Sequence, residues 1–346
     1  MENTVRAPHI REEGSFGRMV QNVFVALLPA LIWGVYCFGW RVLLVLSVTA
    51  AAALAGENII CRFLLRTAPR RDGSTALSGV LLGALLPPAV SLPLAALGGI
   101  LAAGVKLAFG GLGKNPVNPA LTAGGLLYLV FSDGLTAYTA PFLDLPVFRA
   151  YFSHEEITRF AGDSAPLAMW KAGKMPTQNW YQLLSGDVPG ALGAVSAMLL
   201  LAGGLYLLAN RIVTFHAPLA FLATVGLTAL LQPLEDGTPL EAVGVALLSG
   251  GTMLGAFFLL TDPVTAPVTR WGRACFGVIA GLFTALFRSV IGDVFAMVYA
   301  ILLADLLARP LDFLFRPRPY GGRYFRHLAY LIPQRTAPEK KPEKHA

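Results

Sequence analysis

A chain of 346 residues with 55% hydrophobic and 14% charged residues, and a mean hydropathy of +0.61, is too apolar for a soluble domain, where charged residues run near ~25%. The formal net charge of +7 does not point to nucleic acid: nine of the 27 Lys and Arg lie between Arg309 and Lys344, and most others sit in alternate short connections. That distribution orients a membrane protein. The composition predicts an all-α polytopic membrane protein and excludes a nucleic-acid-binding module.

The first 18 residues are polar, with Arg6, Arg11 and Arg18 ahead of any apolar run. The run that follows is about 20 residues long and lacks a small-residue cleavage pattern, so it reads as a first span and not as a signal peptide. Ten apolar segments are predicted, at roughly 19–38, 42–61, 74–91, 92–109, 118–135, 190–210, 215–234, 241–261, 272–291 and 293–315, each close to the length a bilayer requires. They divide the chain into a cytoplasmic N-terminus (1–18), a first membrane repeat (19–135), an outer loop (136–189), a second repeat (190–315) and a basic cytoplasmic tail (316–346). With the N-terminus inside, 21 of the 27 Lys and Arg fall on the cytoplasmic side, which satisfies the positive-inside rule with both termini cytoplasmic. The outer loop, with Trp170, Trp180 and several Tyr, suits a segment at the membrane–water interface.

In the third segment, SGVLLGALLPP runs from Ser78 to Pro88. In the eighth, SGGTMLGAFFLLTDP runs from Ser249 to Pro263. The Ser-Gly pairs are 171 residues apart, close to half the chain, and an offset of five spans makes the copies antiparallel. Two inverted five-helix repeats with helices three and eight broken are therefore expected, with the working site between them. A proline break removes a backbone donor and persists in lipid only where the freed groups face protein, cofactor or water. The alternative is a pair of kinks in tightly packed helices.

Between segments four and five, GGLGKNPVNPA (Gly110 to Ala120) is dense in turn residues. Asn115-Pro116 and Asn118-Pro119 mark turns, and Asn118 is placed to cap the fifth helix with Pro119 at its first position. Asp262, before Pro263, reads either as an ion ligand or as a helix-end residue paired with Arg270 or Arg273. Glu57, Lys106 and Asp305 are ionisable groups at or near membrane depth and count as functional candidates on that ground. For Lys106 the competing reading is snorkelling. For Glu57 it is a buried partner such as Asn58 or a basic neighbour. Glu57 and Asp262 are the ion-pathway candidates. The five histidines are scattered, and no nucleophile–base pair or phosphate-binding glycine loop appears, which argues against a self-contained hydrolase or ATP-driven pump. Cys37, Cys61 and Cys275 lie far apart, so no metal site is expected.

On FGGLGKNPVNPA, SGGTMLGAFFLLTDPVTA and the closing RPRPYG, the chain resembles the D subunit of the Rnf-type ion-translocating oxidoreductase complex, a relative of the B subunit of the sodium-translocating NADH:quinone reductase. The resemblance runs from about Pro8-His9 to Tyr320-Gly321. It implies a subunit of a bacterial inner-membrane complex that couples electron flow between NADH and ferredoxin to movement of Na⁺ or H⁺, and not a catalyst on its own. It also implies a urea-transporter-like fold in membrane lipid, contact with the flavin-bearing G subunit, and an FMN on the outer side. In that family the flavin is linked by a phosphoester to a threonine in a Ser-x-Ala-Thr-Pro-Leu motif. The matching stretch here is GDSAPLAMWKAG, and alignment on Pro166-Leu167 puts Ala165 at the threonine position and Ser164 at the motif alanine. Alanine has no oxygen to form the bond. Three readings stay open: FMN bound non-covalently, attachment through Ser164 after a one-residue shift, or loss of this flavin. Non-covalent FMN is the working expectation. The competing classes are a passive channel or small-solute carrier of the same architecture, and a purely structural subunit that has lost its flavin.

Overall fold

The computed structural model describes residues 16–69, 73–111, 113–136, 138, 141, 165–194, 196–232, 234–235 and 237–316. Ser164, most of the polar N-terminus, much of the outer loop and the basic tail after Arg316 lie outside the described residues. Within them the protein is helical, with no strand and a single isolated β-bridge between Lys174 and Glu235.

Helices α1 (Phe16–Phe38) and α2 (Arg41–Ile59) are long and apolar, and α2 continues as a π turn over Ile60–Leu64. Shorter helices follow: α3 (Ser74–Leu85), α4 (Leu92–Ala108) and α5 (Pro119–Leu135). The outer-loop segment contributes α6 (Pro166–Lys171) and α7 (Trp180–Ser185). Then come α8 (Ala197–Ala209), α9 (His216–Leu230) and α10 (Pro239–Leu248). α11 (Thr252–Leu259) meets α10 at a 60° bend. The chain closes with α12 (Arg270–Val290) and α13 (Phe295–Leu314). Among the described residues, three helices are long and apolar enough to cross a membrane (Phe16–Phe38, Arg41–Leu64 and Arg270–Val290), or four if the bent pair is one span. Leu43, Leu129, Leu227 and Leu286 are exposed on helix flanks, as suits side chains that face lipid. This is a helical membrane protein.

Small residues set the packing. α2 lies against α3 and α4, and α9 lies against α10 and α12. On α4, a Cβ at Gly99 would fall 2.4 Å from the carbonyl oxygen of Thr49 in α2. On α12, one at Gly281 would fall 2.7 Å from Cβ of Thr224 in α9. Close backbone approach of this kind is how helices associate in lipid, where apolar burial supplies no drive.

Two interruptions shape the interior. α3 stops at Leu85 with Leu86 extended, because Pro87 and Pro88 offer no N–H to continue it. The carbonyls freed there are not orphaned. Gly193 N donates to Ala84 O (2.8 Å) and Leu192 N to Leu86 O (3.0 Å), while Arg41 Nη2 donates to Ala89 O (3.4 Å) and Val90 O (3.2 Å). The second interruption differs from expectation. The eighth segment bends at Ser249–Gly251, well before Pro263: Ser249 is extended, and Gly250 and Gly251 take positive φ of 63° and 70°. Glycines, not a proline, make this bend. Trp170 also departs from expectation, since it is buried in the core and not held at an interface.

Candidate functional site

The N-terminus of α5 is built by Asn118 and Pro119. Asn118 is extended, and its Oδ1 accepts from Ala120 N at 3.0 Å, so the side chain serves as the N-cap. The same residue joins two distant carboxylates. Its Nδ2 donates to Asp262 Oδ2 at 3.0 Å, and its backbone N–H donates to Asp305 Oδ2 at 3.0 Å. Asp262 Oδ1 accepts from Val264 N at 3.1 Å, which fixes the turn after α11. Asn118 and Asp305 are buried, at 3% and 2% exposure. The turn residue Asn115 is buried as well. With its amide nitrogen facing them, it donates to the carbonyls of Lys106 (3.1 Å) and Gly111 (3.3 Å).

Asn115, Asn118 and Asp262, but not Asp305, open onto a cavity lined also by Ser74, Lys106 and apolar side chains of α1 and α11. The arrangement is two acidic groups held by one asparagine at the start of a helix, beside a polar-floored cavity. Chemically it suits a desolvated cation or a transferable proton, because buried carboxylates persist only with such compensation. Among the described residues no group of three or more His, Cys, Asp and Glu converges as a metal site. The pairing of Asp262 with an arginine does not occur: Arg273 instead donates to Pro267 O (2.7 Å) and Thr214 Oγ1 (2.9 Å).

Glu57 lies apart from Asp262. Its Oε1 accepts from Lys106 Nζ at 3.1 Å, and Lys106 also donates to Ser74 Oγ (2.7 Å) and Thr75 Oγ1 (2.6 Å). Lys106 is 3% exposed, which corrects the snorkelling reading. The Asn58 side chain turns back to Leu54 O, so the partner of Glu57 is the lysine.

The segment expected to hold a flavin packs at the second interruption. Ala165 is the extended residue before α6, Pro166 is the first helical position, and Ala165 and Leu167 are buried. A Cβ on Gly250 would fall 2.2 Å from Leu167 Cδ1, so α6 rests directly on the α10–α11 bend. A cavity of about 400 Å³ adjoins it, lined among others by Ala165, Leu167, Ser249, Gly250, Asp293 and Tyr138. The Tyr138 hydroxyl donates to Asp293 Oδ1, and Val294 N donates to the same oxygen. These residues do not fit a phosphoester-linked FMN. Ala165 offers no oxygen, the carboxyl of Asp293 lines the cavity, and no Lys or Arg lines it among the described residues.

Sequence reasoning missed Arg288 and Asp293. Arg288 is one of the six Lys and Arg that the positive-inside count leaves on the outer side, yet it is 2% exposed and donates to Ala246 O (2.8 Å), Ser249 O (3.3 Å) and Thr252 Oγ1 (2.5 Å). The available signal was its spacing: Gly99 to Lys106 on α4 is the same seven-residue interval as Gly281 to Arg288 on α12.

Residues 3–321 match the NQR2, RnfD, RnfE family. The chain belongs to that family. Within it the chain is of the RnfD type. It is similar to the D subunit of the ion-translocating oxidoreductase complex of Escherichia coli strain Crooks, at 34% identity over 92% of this chain and 97% of the relative. The corresponding protein of Escherichia coli strain SE11 is 34% identical, and that of strain K12 33% identical, over the same shares. The GGLGKNPVNPA turn that holds Asn118 and the TDP turn that holds Asp262 both fall inside the family match.

Proposed function

We propose that this chain is the membrane-embedded D subunit of an Rnf-type complex, a redox-driven pump that couples electron transfer between NADH and ferredoxin to translocation of Na⁺ or H⁺. The observation that carries the reading is the end-to-end similarity to the D subunits of ion-translocating oxidoreductase complexes, together with the Asp262–Asn118–Asp305 constellation beside a cavity. The ion path runs past Asp262. Glu57 is the second carboxylate on the route, already neutralised by Lys106. The chain works with the other subunits, the flavin-bearing G subunit foremost, and lies in the bacterial inner membrane with both termini cytoplasmic.

The architecture in this reading is ten spans in two inverted five-helix repeats. Three features support it: α2 against α3 and α4 is matched by α9 against α10 and α12, Gly99 and Gly281 make equivalent close approaches, and Lys106 and Arg288 follow them at equal spacing. The Asn118 cavity then faces the cytoplasm and the Ala165 cavity faces outward. Contact between α6 and the bend gives an outer-face partner a mechanical route to the half-helix that ends beside Asp262.

In this reading FMN is held non-covalently, because Ala165 lacks the linking oxygen; attachment through Ser164, which lies outside the described residues, is the alternative. The alanine also favours a second reading, a subunit that relays conformational change without a flavin of its own. Acid precipitation of the purified complex separates them: flavin retained on this chain contradicts non-covalent binding, and no flavin in either fraction assignable to it favours the second reading. The pump itself is tested in inverted vesicles. Ion uptake that requires an electron donor and disappears when this chain is deleted is the expected result; uptake without a donor would make the chain a passive channel.

A further inference from the structure

We infer that Glu57, Ser74 and Thr75 form a monovalent-cation site that Lys106 fills with its own ammonium. Three oxygens from two helices converge on one nitrogen, at 3.1, 2.7 and 2.6 Å. All four residues are at least nine-tenths buried. The place is a poor one for a cation by default: Ser74 and Thr75 are the first residues of α3, and a helix N-terminus favours negative charge. A carboxylate and two hydroxyls override that preference, as they would around a desolvated alkali or ammonium ion.

A similar device occurs at the bend between α10 and α11. Arg288, 182 residues after Lys106, places its guanidinium against two carbonyls at the end of α10 and the Thr252 hydroxyl at the start of α11. Carbonyls and hydroxyls at a helix break are the usual donors of ion sites in inverted-repeat transporters. Each half of the molecule therefore sets a tethered cation against the start of a helix, α3 or α11, on a seven-residue spacing. Lys106 also forms part of the wall of the cavity that contains Asp262, so a cation in that cavity reaches the Glu57 oxygens only by displacing the ammonium. Lys106 is an internal competitor for the cation.

The site stands apart from the Asp262 reading, and its test reads stability and not transport. The complex carrying Lys106→Ala is melted in chloride salts of Li⁺, Na⁺, K⁺, ammonium and methylammonium at constant ionic strength, with N-methylglucamine as the large-cation control. At least one small cation raises the midpoint saturably, by roughly 5 °C at a hundredfold excess over its Kd. The wild type and the Glu57→Gln/Lys106→Ala pair show no such rise. If Lys106→Ala does not assemble in the control salt, assembly is recovered in the small cation, and Lys106→Gln supplies a second variant for the same series. Identical midpoints in every salt, or failure of both variants to assemble in any of them, overturns the site.

Discussion

Asn118 caps a helix with one atom and holds two carboxylates with two others, so its removal has separable costs. Loss of the cap in Asn118→Ala costs about 1 kcal/mol, and Asp262 Oδ2, left without the amide donor, adds about 1–3 kcal/mol, while the backbone N–H to Asp305 is kept. The variant is expected to lower the melting midpoint of the complex by several degrees, read by thermal unfolding in detergent. Asn118→Asp should be worse, because it sets a third negative charge between Asp262 and Asp305. A cost no larger than that of an exposed cap would show that Asp262 finds another donor. The Lys106–Glu57 pair obeys a different rule. Truncating one partner strands a buried charge at about 3–5 kcal/mol, whereas replacing both is often near neutral. Glu57→Gln/Lys106→Met should accordingly be more stable than Lys106→Met alone.

At the scale of elements, the two interruptions have different causes and different partners. Two prolines end α3, and the 190–194 segment and Arg41 cover its freed carbonyls. Two glycines bend α10 into α11, and Arg288 and α6 cover that bend. Gly250 is the sensitive point, since its φ of +63° is unfavourable for other residues and its missing Cβ makes room for Leu167. Gly250→Ala is expected to lower the melting midpoint. Leu167→Ala should recover part of that loss in the double variant, because the clash is removed while the strained φ remains. Strictly additive effects would mean that α6 does not bear on the bend. Much of this level was legible from the chain: the Asn118-Pro119 start of α5 and the Pro87-Pro88 stop of α3 follow from local turn chemistry. The glycine bend was not, because Ser249-Gly250-Gly251 lies inside a continuous apolar run and Pro263 drew the break toward itself.

For the whole molecule, composition and apolar periodicity were enough to identify an all-helical membrane protein, and the GGLGKNPVNPA and TDPVTA motifs were enough to place it in its family. The site's assembly was not readable, because it depends on contacts across 144 and 187 residues of chain that no local pattern encodes. Arg288 likewise counted only as an outer-side charge, since nothing near it in sequence shows that the carbonyls of a bent helix surround it. These long-range contacts tie the two halves together: α5 from the first half meets Asp262 and Asp305 from the second, so a shift of one half against the other must remake the Asn118 hydrogen bonds. In the proposed function, coupling depends on Asp262. The most direct measurement uses proteoliposomes carrying the complex with either the wild-type chain or Asp262→Asn, scored for electron transfer and ion uptake in parallel. The expected result is near-normal electron transfer with at least about tenfold less uptake in the variant, as for removal of an ion-pathway carboxylate. Full donor-driven uptake by Asp262→Asn would contradict the assignment of the ion path to this site.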